Sequence, residues 1–152
     1  MVPEIVVKNG KFLIAKQVIL IPADNITNLG VLIESSITKL KAYGLSPTGP
    51  PIIWEKIDFD GKAVILGRKI ILQCSGNASK IPTGFERKER LKIGPCIYTR
   101  FIGKEENAIY ASQKISVYAY ENEIGLKKES YTVYVKKNND MATIDLFVPL
   151  ED

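Results

Sequence analysis

Twice along this chain the same order of patterns occurs: an apolar strand, an amphipathic helix, then two further strands. The first run opens with residues 12–22 (FLIAKQVILIP), nearly continuous in apolar and β-branched side chains, and Pro22 ends it. Asp24 and Asn25 offer N-cap chemistry for a helix over 25–43, where Ile26, Leu29, Ile33, Ile37 and Leu40 recur at helical spacing before Gly44. Residues 52–57 and 63–74 then read as strands, joined through Asp58-Phe59-Asp60-Gly61-Lys62, whose Asp-Gly is a hairpin signal. After a polar stretch at 75–84 the order returns. Residues 85–93 form a strand or a lead-in, 95–102 a strand, 105–122 a helix, and 131–136 and 143–150 the closing strands, with Asn138-Asn139-Asp140 as their turn. Tyr43-Gly44-Leu45 and Ile124-Gly125-Leu126 anchor the repeat at 125 − 44 = 81 residues, and Trp54 stands opposite Tyr134 at 134 − 54 = 80. The expectation is an α+β domain spanning 1–152. It has pseudo-twofold βαββ halves at about 10–75 and 84–150, joined into one antiparallel sheet with both helices on one side and a central cleft.

Composition narrows the function classes. The chain has 152 residues, enough to bury a core, and a formal net charge of +4 in which bases and acids alternate, as in Glu86-Arg87-Lys88-Glu89-Arg90. That mixing reads as solvated surface and argues against direct nucleic-acid binding. No basic leader with an apolar run and no membrane-length apolar stretch is present, so a cytoplasmic protein without membrane association is expected. Cys74 and Cys96 have neither metal-ligand nor redox spacing and read as reduced, packed thiols; no metal or cofactor is expected.

The chemistry-bearing candidate is Asp145, a lone carboxylate inside the apolar run 143–150, where an unpaired charge is costly. Phe147 shares its strand face, and Tyr131 and Tyr134 lie one strand earlier. An acid framed by rings suits a flat or cationic ligand. An edge residue or a salt-bridge partner is the competing reading. Trp54 and Tyr110 complete the candidate ligand-binding set of Asp145, Trp54, Tyr134, Tyr110, Tyr131 and Phe147, while Tyr43, Tyr98, Tyr118 and Tyr120 read as core or rim. Glu55 is expected to be an exposed strand charge on the face opposite Trp54.

Gly49-Pro50-Pro51-Ile52-Ile53-Trp54, the run Ala119-Tyr120-Glu121-Asn122-Glu123-Ile124-Gly125-Leu126 and the closing Asp145-Leu146-Phe147-Val148-Pro149-Leu150, together with the doubled order, resemble the GyrI-like small-molecule-binding domain. This domain serves AraC-type and MerR-type regulators as effector-binding module and is distantly similar to the SOUL haem-binding fold. The resemblance implies an aromatic cleft between the halves with an acid at its floor, multidrug-type binding of lipophilic, cationic aromatic compounds, and a stand-alone version of the domain. The family's floor acid is a Glu at the position of Asp145, one methylene longer. Two alternatives travel with the resemblance. One is hydrolysis of strained small molecules in the same pocket, with Asp145 and Tyr134 as the plausible acid/base pair. The other is inhibition of a protein partner, as by the gyrase-inhibitor member.

Overall fold

The computed structural model describes residues 5–58 and 64–151. The elements run β1 (Val7–Pro22), α1 (Leu29–Ala42), the two-residue β2 (Ser46–Pro47), β3 (Ile52–Asp58), β4 (Val64–Ser75), β5 (Glu86–Lys104), a 3-10 turn Glu105–Asn107, α2 (Ile109–Glu121), β6 (Glu129–Asn138) and β7 (Met141–Pro149). The expected hairpin turn 59–62 lies outside the described residues. All strand pairings are antiparallel, in the order β1-β5-β7-β6-β3-β4-β2, and β1 also pairs β4. That last pairing closes the sheet. The result is a six-stranded barrel with β2 as a short flap on β4.

Closure follows from strand length and shape. At 16 and 19 residues β1 and β5 are the longest strands. β1 carries register irregularities at Asn9/Lys11 and Lys11/Leu13 and a left-handed Gln17 at φ 46°, kinks of the kind that let one strand serve two partners. Leu13 to Lys16 run along β5 only, whereas Val18 to Leu20 pair both β5 and β4.

The barrel wall separates two kinds of core. Inside lie Leu13, Ala15, Val18, Leu20, Ile52, Ile71, Leu91, Cys96, Tyr131, Val133 and Phe147. Outside, α1 seals Ile19, Ile21, Ile53, Ile70 and Leu72 through Leu40 and the partly buried Leu29, Leu32, Ile33 and Ile37. α2 seals Ile97, Phe101 and Leu146 through Ala111 and Ile115. Ile53 pairs Thr132, which pairs Leu146, so both helices cover the same, outer face.

Several local expectations shift for identifiable reasons. The N-cap of α1 is Asn28, whose side chain accepts from the Val31 N–H at 3.1 Å. Asp24 instead accepts from the Arg68 N–H at 3.1 Å, pinning the strand exit to β4. The segments 85–93 and 95–102 form one strand, β5, which continues through Gly103 to Lys104. After the two helices, the Leu45 N–H donates to the Leu40 carbonyl and the Ile124 N–H to the Ala119 carbonyl; these positions lie 124 − 45 = 79 residues apart, where the expected anchors are 81 apart. Gly44 (φ +89°) and Glu123 (φ 54°) take the left-handed position after the two helices. Across β3 and β6 the register partner of Trp54 is Tyr131, and Tyr134 lies on the opposite face.

Candidate functional site

Strand alternation points Asp145 and Phe147 into the barrel and Ile144 and Leu146 out of it. Trp54 on β3 pairs Tyr131 on β6, Tyr131 pairs Phe147 on β7, and Phe147 pairs Tyr98 on β5. Four rings thus form one row across the inner face. Tyr98 and Phe147 have centroids 4.8 Å apart with planes tilted by 41°, a favourable aromatic geometry. Four of the six expected site residues, Asp145, Trp54, Tyr131 and Phe147, are therefore neighbours on one surface.

That surface is packed core, and its acid is not alone. Arg100, the register partner of Asp145 across β5 and β7, donates from Nε to Oδ1 at 2.7 Å and from Nη2 to Oδ2 at 2.9 Å. The Tyr98 hydroxyl donates to Oδ1 at 3.0 Å. A two-pronged guanidinium contact satisfies both carboxylate oxygens of a residue that is only 8% exposed. The lone acid is thus paired with a base, as the salt-bridge reading of Asp145 has it. Trp54 is similarly occupied: its Nε1–H donates to Glu129 Oε2 at 2.9 Å, Lys69 Nζ lies 5.6 Å from its ring centroid, and its ring rests against Gly67.

The other two expected residues lie elsewhere. Tyr134 points to the outer face and packs into the α1 cluster, so it cannot act with Asp145 as an acid/base pair. Tyr110 stands on α2, 49% exposed. Glu55 faces outward as expected, but it is half-buried and bound by Arg68, with Nη2 2.9 Å and Nε 3.2 Å from the same oxygen.

A groove with a mainly apolar lining opens on the outer face, between α2 and the sheet, with a volume of about 400 Å³. Ile115 from α2, Leu146 and Val148 from β7, Leu126 from the loop before β6 and Ile57 from the end of β3 supply its apolar walls. Ser112 and Ser116 keep the helix side low, and each hydroxyl donates back to a helix carbonyl, at 3.1 Å to Ile109 and 3.1 Å to Ser112. Lys127, Lys128, Glu129 and Ser130 complete the lining beside the β3–β6 pairing. Its volume falls within the range of small-molecule sites, ~300–1,000 Å³.

Burial pushes the Tyr131 phenol up to about 12, with the Glu129 charge adding to it. It likewise raises the Tyr98 phenol, helped by Asp145, and the Cys96 thiol to about 11. The folded state therefore holds these protons longer than the unfolded chain, whose tyrosines titrate near ~10. Stability contributed by Tyr131 is complete below pH ~10 and is lost as pH rises toward about 12. Melting temperature should fall steeply across that window, and Tyr131→Phe should flatten the fall. An unchanged alkaline slope in the variant would refute the assignment.

No family model and no curated protein matches the sequence. Solved structures do match. A chain of the EcmrR–DNA complex in EcmrR-RPo aligns with TM-score 0.68 at 12% identity, covering 97% of this chain and 58% of that one. A hydrolase encoded by lin2189 from Listeria innocua aligns with TM-score 0.56 at 10% identity, covering 94% of this chain and 92% of that one. What is shared is the fold. The chain spans little more than half of the EcmrR chain. Among the described residues no group of three His, Cys, Asp or Glu is placed to hold a metal, and no helix is long and apolar enough to cross a membrane.

Sequence reasoning passed over Arg100 and the groove. Arg100 could have been found: it is a lone base in the apolar run 95–102, as Asp145 is a lone acid in 143–150, and two such charges in one core call for each other. The groove had no such signal, because Ile57, Leu126 and Val148 look like any other core positions until α2 is placed beside them.

Proposed function

We propose that this chain is a small-molecule-binding module, built from two βαββ halves, that takes lipophilic compounds into the groove beneath α2. The groove itself carries the reading: about 400 Å³ of mainly apolar concavity, flanked by a helix that packs on the sheet through Ala111 and Ile115 and lines the groove with Ser112 and Ser116. The likeness in fold to a chain of a DNA complex and to a hydrolase is compatible with an effector-binding role, as is the resemblance to the GyrI-like domain. Cation preference, by contrast, has lost its motivating acid, since Asp145 is held by Arg100 and the Trp54 ring already faces Lys69. Hydrolysis is not favoured, because the pair that would perform it, Asp145 and Tyr134, is split across the barrel wall.

The test is a thermal-shift and fluorescence screen of lipophilic compounds of differing charge, run on the wild type and on Ser116→Trp. An indole at position 116 would occupy the groove from the exposed side of α2 without entering the core. Binding in the wild type that weakens at least about tenfold in Ser116→Trp is expected, the scale of losing one well-packed apolar contact set. Equal binding by both proteins places the site elsewhere.

A further inference from the structure

We infer that the groove selects amphipathic molecules carrying a single negative charge, with the alkyl or aryl body under α2 and the anionic head at Lys128. The inference rests on the groove reading above and adds the ligand's charge class.

It follows from where the acids of this fold are engaged. Asp145 is held by Arg100, Glu55 by Arg68 and Glu105 by Lys137, at 2.7, 2.9 and 2.9 Å respectively. None of these lines the groove. The charged residues that do are Lys127, Lys128 and Glu129. Glu129 belongs to the inner-face register, two residues before Tyr131, and its carboxylate is drawn to the Trp54 indole N–H at 2.9 Å. Lys128, in the bend immediately before β6, is exposed and lines the groove, and its backbone carbonyl accepts from the Ile57 N–H at 2.9 Å. That bond anchors the lysine's backbone to the wall of the groove. Of the charged residues of the lining, Lys128 is the exposed one, and the lining's acid is turned toward the Trp54 indole.

An apolar trough with a cation at its lip is complementary to a carboxylate or sulfonate on a hydrophobic body. A quaternary ammonium of the same length would set like charges together as it seats.

The probes are decanoate, decanol and decyltrimethylammonium, each titrated calorimetrically below its micellar concentration at low and high salt. Wild type should bind decanoate on the order of tenfold more tightly than decyltrimethylammonium, with decanol between them and the gap narrowing as salt screens the charges. Lys128→Gln should erase the gap and Lys128→Glu should invert it. Ser116→Trp should weaken all three probes. If decyltrimethylammonium binds as tightly as decanoate, or tighter, and Ser116→Trp still abolishes binding, the charge inference falls while the groove reading stands. If the probes bind wild type and Ser116→Trp alike, or bind neither, both fall.

Discussion

Asp145→Asn should destabilise the protein by about 2–3 kcal/mol, the range for hydrogen bonds to charged groups when one partner is lost. The substitution keeps volume and shape but leaves one oxygen where two were gripped, and it sets an amide N–H₂ against the N–H of Arg100 Nε or Nη2. The loss stays below that of a fully buried pair because the Arg100 side chain is 49% accessible and can recover water, while that of Asp145 is 12%. For a chain of this length the shift in melting temperature is about 2–4 °C per kcal/mol, hence a fall of ~5–10 °C. Arg100→Met alone should also destabilise, by leaving the carboxylate uncompensated. The double variant should be less harmful than the sum, since the two share one interaction. Asp145→Asn with wild-type stability would sink the view that this acid is a structural partner, and would return it to candidacy as a ligand group.

Gly76→Ala should cost about 3 kcal/mol or more, because it violates two constraints at once. Gly76 sits at φ +110°, and a Cβ there would lie 2.3 Å from the carbonyl oxygen of Gly44, a backbone atom with little freedom to retreat. Gly44 itself follows α1 at φ +89°, one residue before Leu45, whose N–H is tied to Leu40 at 2.9 Å. On the other side, the Gln17 amide donates to the carbonyls of Cys74 and Gly76 at 2.9 and 3.0 Å. The junction of α1, β2, β4 and the β1 kink is therefore locked around this glycine. Gly84 is the control: it is also left-handed at φ +89°, but a Cβ there meets nothing within 4 Å, so Gly84→Asn should cost under ~1 kcal/mol. Denaturant unfolding of the two variants separates close approach from left-handedness. Equal losses would show that backbone conformation alone matters.

Much of the architecture was legible because it rests on local rules. The two helices appear where apolar residues recur at helical spacing, and the first ends at Gly44 as a left-handed C-terminal position requires. The grouping of Trp54, Tyr131, Phe147 and Asp145 on one face also follows from strand period alone, once the strands are in register. Tyr134 went astray for a related reason. Its expected match to Trp54 relied on an even offset, and a change of one residue carries a strand side chain to the other face.

What the sequence by itself determined is the α+β class, the order of the elements and the apolar faces they must bury, since propensity and periodicity act over a few residues. Tertiary structure alone decided that β1 reaches both β4 and β5 and closes the sheet, which turned the expected aromatic site into packed barrel interior. It also brought Arg100 to Asp145 across 45 residues, and left a groove between α2 and the sheet, lined on the helix side by Ser112, Ile115 and Ser116. Those outcomes depend on register and on how one surface fits another, which no single stretch of chain encodes.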